Sequence, residues 1–340
     1  MEKLLTIIIP TYNMEKYLPK CLDSLIIEKH LMSQLDIIVV NDGSKDSSSE
    51  IAHTYEKRFP DSITVIDKQN GNYGSCINAG LKVAKGKYIR VLDSDDSYEN
   101  KNFQLFVEQL KNLDVDLVVT NFIKVDEDGK ILHTEKYNLG NWERKTLDDY
   151  SGNTIAMHAI TYNRKVFNGL DYHQTEGISY TDTEWNIIPM LNVESIIYLD
   201  LDVYKYLIGR EGQTVEECIF IRRSHELILV IKKVLNKTCL NSKNNLKYIN
   251  RYIWQLLILV YRNILLFGNS SQQEILREFD NTLKHNYNRY YKELDNYSLE
   301  SISYKYVRHW RTSRLVSSIL RKCIKVYHKL KYQLTIVGII

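Results

Sequence analysis

Four short, almost unbroken apolar runs, each followed by a stretch of helical periodicity, leave this chain few folds to choose from. Residues 4–10, 36–40, 63–66 and 88–92 read as strands. Between them, Tyr17, Leu18, Cys21, Leu22, Leu25 and Ile26 fall on one helical face, Ile51, Ala52 and Tyr55 on a second, and Ile77, Leu81 and Ala84 on a third. Strands apolar on both faces and alternating with amphipathic helices imply an α/β fold whose doubly wound, mostly parallel sheet is covered on both sides. Such sheets bind ligands at the carboxyl ends of their strands. Here that edge collects Thr11-Tyr12-Asn13, Asp42, Asn70 to Gly74 and Asp93 to Asp96, which is more polar than turns alone require.

The most informative of these turns is Val-Leu-Asp-Ser-Asp-Asp at residues 91–96. Asp93 and Asp95 stand at i and i+2 after an apolar strand, and in an extended backbone such residues point to the same side, so the pair can share one divalent cation. Oxygen-only ligands suit Mg²⁺ or Mn²⁺ carrying a diphosphate. An Asp/Ser cluster ahead of a helix beginning near Asn100 is equally the pattern of an N-terminal cap. Asp42-Gly43-Ser44 likewise reads both as a tight turn and as a binding edge.

Five ordered motifs then carry a resemblance. Ile-Ile-Pro-Thr-Tyr-Asn (8–13), Val-Val-Asn-Asp-Gly-Ser-Lys-Asp (39–46), Asn-Gly-Asn-Tyr-Gly (70–74), Ile-Asn-Ala-Gly (77–80) and Leu-Asp-Ser-Asp-Asp (92–96) together resemble glycosyltransferase family 2 over roughly the first 215 residues. The resemblance implies a GT-A fold, a nucleotide-sugar donor, a divalent metal and an inverting transfer. It places Thr11 and Tyr12 at the uracil pocket of a UDP-sugar, Asp42 on the base, and Pro10 and Asn13 among the residues that bind the nucleotide sugar. Asn70 and Asn72 would contact the nucleotide, Asp93 and Ser94 would lie near the ribose, and Asp95, with Asp93, would hold Mn²⁺ or Mg²⁺.

For the acceptor side, residues 177–185 (Gly-Ile-Ser-Tyr-Thr-Asp-Thr-Glu-Trp) align with the family's acidic pair, whose second member is the base; that position is Asp182. Thr181 replaces the first acid of the pair. Inversion needs a carboxylate opposite the departing diphosphate to take the acceptor hydroxyl's proton. Thr181-x-x-Glu184 also has the form of a capping box, which assigns Glu184 to the helix and Asp182 to the chemistry. After an expected hairpin at 196–207, Arg210 would close on the diphosphate with Gln213 and Thr214 as helpers, its guanidinium matching phosphate oxygens. Asp96, His158 in a strand at 155–162, and His173 fall where an acceptor could be touched.

The reading divides the chain into a GT-A domain over 1–215, with a nucleotide half to about 97 and an acceptor half beyond it, and an α-helical C-terminal domain over 216–340. Residues 253–267 are its most apolar stretch, but Arg262 and Asn263 and the short length mark a core helix rather than a membrane span. Five scattered cysteines without metal or redox spacing read as free thiols of a reducing compartment, and no signal segment is seen ahead of the first strand. The formal charge of +3 conceals an asymmetry: residues 301–340 hold nine Lys/Arg and no acid, against 36 basic and 42 acidic residues elsewhere. Beside those charges Leu315, Ile319, Leu320, Cys323, Ile324, Tyr327 and Leu330 form an apolar stripe, so the tail reads as a basic amphipathic helix suited to an anionic membrane surface or to packing on a domain or partner. No nucleic-acid module accompanies it.

The sequence therefore points to a cytoplasmic enzyme, peripheral on the inner face of the membrane, that adds one sugar to a glycan or lipid-linked glycan of the cell surface. The Gln-x-x-Arg-Trp motif of processive relatives is absent. A non-catalytic nucleotide-sugar-binding scaffold and a sugar nucleotidyltransferase are the alternatives, and a homo-oligomer is left open. The first turn, Pro-Thr-Tyr-Asn, is not the Gly-x-Gly-x-x-Gly of a dinucleotide oxidoreductase.

Overall fold

The computed structural model describes residues 3–137, 139–210, 217–240, 245–297 and 306–313. Its elements run β1 (Leu5–Thr11), α1 (Leu18–Asp23), α2 (Lys29–Met32), β2 (Leu35–Asn41), α3 (Ser48–Arg58), β3 (Ile63–Asp67), α4 (Asn72–Val83), β4 (Tyr88–Val91), β5 (Ser97–Tyr98), α5 (Asn100–Leu110), β6 (Leu117–Val125), β7 (Ile131–Glu135), β8 (Ile160–Asn163), α6 (Asp182–Ile187) and β9 (Ile196–Leu207). The helices α7 (Glu217–Arg222), α8 (Ser224–Leu240), α9 (Leu246–Phe267), α10 (Ser270–Asn286), α11 (Asn288–Asp295) and α12 (Tyr306–Ser313) complete the order.

One sheet holds all the described strands in the order β3-β2-β1-β4-β8-β6-β9-β5, with β7 pairing the later half of β6 off this path. β3, β2, β1 and β4 are mutually parallel, and every residue of β1, β2 and β4 is buried, which is why these strands read as continuous apolar runs. Beyond β4 the sheet becomes mixed: β8 runs antiparallel to β4 and β6, while β9 runs parallel to β6. The strand order reverses between β1 and β4, so their carboxyl ends open a crevice at the switch point.

Compact packing divides the chain into two units. The first is Met1–Gln213 with Lys232–Tyr252, and the second is Thr214–Ile231 with the described residues from Ile253 onward. Residues 232–252 thus count with the sheet, although their helical pattern resembles that of the second unit. In the second unit α9 buries Ile253, Leu257, Val260, Tyr261, Ile264 and Leu265, the i, i+3, i+4 face expected of a core helix. Arg311 of α12 is held by Asp280 of α10 and by Asp295 of α11 at 2.7 Å, and its guanidinium lies 3.7 Å from the Tyr291 ring centre. No helix among the described residues is long and apolar enough to cross a membrane. Gln213, Thr214 and residues 314–340 of the basic tail lie outside the described residues.

Several local expectations change. The hairpin over 196–207 is one twelve-residue strand, β9. Asp200 and Asp202 sit where the β6/β9 register slips, and both accept from Asn121 Nδ2, at 2.7 and 2.8 Å. His158 lies in a 3₁₀ turn, Met157–Ala159, that leads into β8, not inside a strand. Residues 93–96 are a turn closed by Asp96 N–H donating to Asp93 O at 3.0 Å, so the acids are not on an extended backbone. That turn does not cap α5 either: Glu99 does, accepting from Asn102 N–H at 2.8 Å. Thr181 makes no capping bond and its hydroxyl is buried without a partner among the described residues, so the capping box at α6 does not form.

Candidate active site

The edge of β1 and β2 is tied into a single rim by short polar contacts. Asn13, in a left-handed conformation (φ 53°), accepts from Lys45 N–H at 2.8 Å and donates its own N–H to Ser44 Oγ at 3.1 Å. Thr11 is buried and turns its hydroxyl back to Ile9 O, while the Tyr12 ring beside it is 43 % exposed, a free aromatic face at the mouth of the crevice. Asp42 is buried at the end of β2, where its Oδ1 accepts from Lys68 Nζ (2.6 Å) and Gly71 N–H (2.9 Å). Asn70 Nδ2 donates to Asp42 O at 3.0 Å. Asp42 thus shapes the 70–74 loop.

At the end of β4 the three aspartates have different surroundings. Asp93 accepts from the Tyr73 hydroxyl at 2.9 Å. Asp95 pairs with Arg210 Nε at 2.5 Å, so the loop after β9 already reaches the acid turn. Asp96 is buried with both oxygens engaged, Oδ2 by the Tyr204 hydroxyl (2.6 Å) and Oδ1 by Leu207 N–H (2.7 Å). Ser94 is buried between them. Burial and the neighbouring Asp95 carboxylate push Asp93 up to about 7 and push Asp96 well above the usual carboxylate range.

His158 completes this cluster. Its ring lies against Tyr206 (4.3 Å between centres), Tyr204 (4.8 Å) and Phe122 (5.0 Å), and burial, aided by Arg90 and Lys124, lowers its pKa to about 3. The imidazole is therefore neutral, the form that binds metals. Ligand atoms of Asp93, Asp96 and His158 lie within 4.8 Å of one another, and His158 Nδ1 is buried without a hydrogen-bond partner among the described residues. A carboxylate of Asp93 and a neutral imidazole beside it, with Asp95 in the same turn, fit a hard to borderline divalent ion such as Mn²⁺, while both oxygens of Asp96 are already engaged.

Asp182 opens α6, directly after Thr181 and after Tyr180, whose φ of 63° turns the chain through the left-handed region. Burial raises its pKa, moving the carboxylate toward the range of a working base. It is close enough to Asp93 to help raise that group, and the hydroxyls of Tyr73, Tyr172, Tyr206 and Tyr252 all respond to its charge. The loop before it is clamped to α4: Gly177 N–H donates to Gly71 O at 2.8 Å, and Asn78 exchanges bonds with Gln174 N–H (2.8 Å) and Gln174 O (2.9 Å). Gly74 permits this approach, since a Cβ there would lie 2.1 Å from Thr175 O. Glu184, wholly buried, accepts from Thr175 N–H (3.0 Å), Thr175 Oγ1 (2.5 Å) and Lys233 Nζ (2.8 Å). Its role is a tertiary brace and not a helix cap.

Asp93, Asp95, Asp96, His158 and Arg210 therefore gather at the carboxyl end of β4, Asp182 is near enough to act on Asp93, and Asp42, Asn70 and Tyr12 lie along the β1/β2 edge. Asn72, exposed with φ 63°, begins α4 and accepts from Ser75 through its carbonyl. His173 is exposed in the clamped loop, 3.3 Å from Glu176 and beside Asn78, and does not join the acid cluster. Asp96 and His158, expected on the acceptor side, stand with Asp93. Sequence reasoning missed Tyr73, Tyr204, Lys68 and Arg90. Only Arg90 carried a signal, a charged residue in the middle of a buried parallel strand.

Comparison with known proteins bears on this crevice. The model of the family described as glycosyl transferase family 2 matches residues 6–170. The uncharacterised glycosyltransferase EpsJ of Bacillus subtilis is 40 % identical over 128 residues, which are 38 % of this chain and 36 % of that protein. The match to this relative therefore spans only about a third of its length. Glycosyltransferase GlyG of Streptococcus pneumoniae is 24 % identical over 249 residues, 69 % of this chain and 81 % of that one. Among solved structures, S. aureus TarS 1-349 in complex with UDP-GlcNAc superposes with a TM-score of 0.63 at 19 % identity, covering 82 % of this chain and 80 % of that one, which shows a shared fold.

Proposed function

Given that the N-terminal domain belongs to glycosyltransferase family 2, we propose that this chain is an inverting, metal-dependent transferase that moves one sugar from a UDP-sugar to a glycan or lipid-linked glycan of the cell surface. The observation that supports the reading is that Asp182, at the head of α6, lies near enough to Asp93, at the end of β4, for its charge to help raise that carboxyl. The uracil would lie against Tyr12 with Asp42 Oδ2 accepting from it, and Asn70, Asn72 and Ser94 would hold the remainder of the nucleotide. Arg210, now paired with Asp95, would turn its fork to the diphosphate and free Asp95 to join Asp93 as a metal ligand. His158 is the nitrogen donor next to them, while Asp96, with both oxygens already engaged, orients the turn. A bound Mn²⁺ or Mg²⁺ supplies charge neutralisation to the departing diphosphate.

Asp182 takes the proton of the acceptor hydroxyl as its oxygen bonds to the anomeric carbon and the bond to the diphosphate breaks. The raised pKa of a buried carboxylate suits that task. A nucleotidyltransferase would need a triphosphate site, and no observation favours it. The basic charges of residues 301–340 support a lipid-linked acceptor at an anionic membrane surface.

Calorimetric titration with UDP, with and without Mn²⁺, tests the donor half without the unknown acceptor. Micromolar binding with Mn²⁺ and weaker, measurable binding without it are expected, and absence of binding in both conditions would reject the uridine and metal assignments together. D182N should abolish transfer while leaving UDP binding intact; loss of binding instead would remove Asp182 from the role of base.

A further inference from the structure

Arg90 is a charged side chain with no exposed surface, in the centre of β4. No carboxylate among the described residues lies within ion-pair distance of it. A buried cation of this kind is costly, and an apolar residue of the same volume would satisfy the core equally well. The surroundings of the guanidinium are therefore informative. The ring centres of Tyr98, Phe106 and Tyr204 lie 5.2, 5.3 and 5.9 Å from its carbon, giving it three π faces. Its Nη atoms donate to Thr120 Oγ1 (3.1 Å), Thr161 Oγ1 (3.4 Å) and the carbonyl of His158.

Two of these partners belong to the acid cluster. The His158 carbonyl held by Arg90 fixes the 3₁₀ turn whose imidazole stands beside Asp93 and Asp96. The Tyr204 ring under the guanidinium carries the hydroxyl that donates to Asp96 and accepts from Asp93 N–H at 3.1 Å. Thr161 and Thr120 belong to β8 and β6, so one planar fork joins three strands at the depth where the turn begins.

We infer that Arg90 is a positioning residue of the cation site: the guanidinium sets His158 through its carbonyl, and sets Asp96 and Asp93 through Tyr204, without touching substrate or metal. The inference rests on the proposed donor site. Groups that orient metal ligands change affinity by about 10- to 100-fold when removed, which is the effect sought here.

The test titrates Mn²⁺ into the full chain saturated with UDP, following free Mn²⁺ by electron paramagnetic resonance. R90M keeps the volume and removes the fork, and is expected to weaken Mn²⁺ about 10- to 100-fold with metal-free UDP affinity unchanged; R90K, which keeps the charge, recovers part of the loss. Wild-type Mn²⁺ affinity in R90M overturns the inference. So does an equal loss of Mn²⁺ and metal-free UDP binding, because the domain and not the site has then been damaged. Should R90M fail to fold, Y204F carries the test: weakened Mn²⁺ with intact UDP binding supports the relay, and unchanged Mn²⁺ binding overturns it. Failure of the wild-type protein itself to bind Mn²⁺ and UDP would refute the proposed function, and is distinguishable because no substitution is involved.

Discussion

Removing Lys233 should expose how strongly the loop before Asp182 depends on one distant helix. The Lys233 ammonium is 2.8 Å from Glu184 Oε2, the Glu184 side chain has no exposed surface, and the lysine retains 29 % exposure. Deleting one partner of a buried ion pair costs about 3–5 kcal/mol because the other charge is left in a poor medium. Two features reduce the figure: Thr175 continues to donate from N–H and Oγ1, and the partly exposed lysine site admits water. K233M should therefore lose about 2–3 kcal/mol of stability. K233M/E184Q, which also removes the stranded charge, should recover about 1–2 kcal/mol of it, a coupling expected between residues in contact. Urea titration of the full chain, followed by the fluorescence of buried Trp185 beside Glu184, reads both values. A loss below about 0.5 kcal/mol, or strict additivity in the double variant, would show that Glu184 and Lys233 are a solvated pair and refute the brace.

In G74A the new methyl would meet the backbone carbonyl of Thr175 at 2.1 Å, so α4 and the clamped loop must part. Overpacking of this kind costs about 1–3 kcal/mol, and a displaced Asp182 should lower turnover on the order of 100-fold; unchanged melting temperature and turnover would show that the loop is not seated there. His53 bridges Asp67 at 2.7 Å and Glu56 at 2.8 Å. Its pKa is raised by Asp67 and then Glu56, while that of Asp67 is lowered by Asn41 and then His53. The histidine's contribution is complete below its unfolded pKa and fades as pH rises through the higher folded value; that of the aspartate is complete above its unfolded pKa and fades on acidification. The stability difference between wild type and H53Q should thus peak between about pH 4 and 6.5 and, for groups this exposed, stay near or below about 1 kcal/mol. A difference that grows toward alkaline pH would contradict the assignment.

Local pattern served the reading where burial is simple. β1, β2 and β4 are buried on both faces, so their residues announce parallel strands, and the turns at the carboxyl ends of β2 and β4 locate Asp42 and Asp93 to Asp96 without further information. Reading failed where a polar residue answers to a distant partner. The single strand β9 is hidden in the sequence because Asp200 and Asp202 interrupt its apolar pattern, and their partner, Asn121, belongs to another strand. Glu184 looked like a cap because Lys233, the cation that needs it, comes from a later helix.

By itself the sequence determined an α/β domain, the polar edge at the carboxyl ends of its strands and the identity of the acids that line it, since those come from hydrophobic period and from motifs contiguous in the chain. Tertiary structure alone decided which acid meets which partner. It put Asp95 on Arg210, Asp96 on Tyr204, Asp93 between Tyr73 and His158, and a buried Arg90 behind them. The physical reason is that burial, charge pairing and metal geometry are properties of distances across strands, and a linear pattern does not contain those distances.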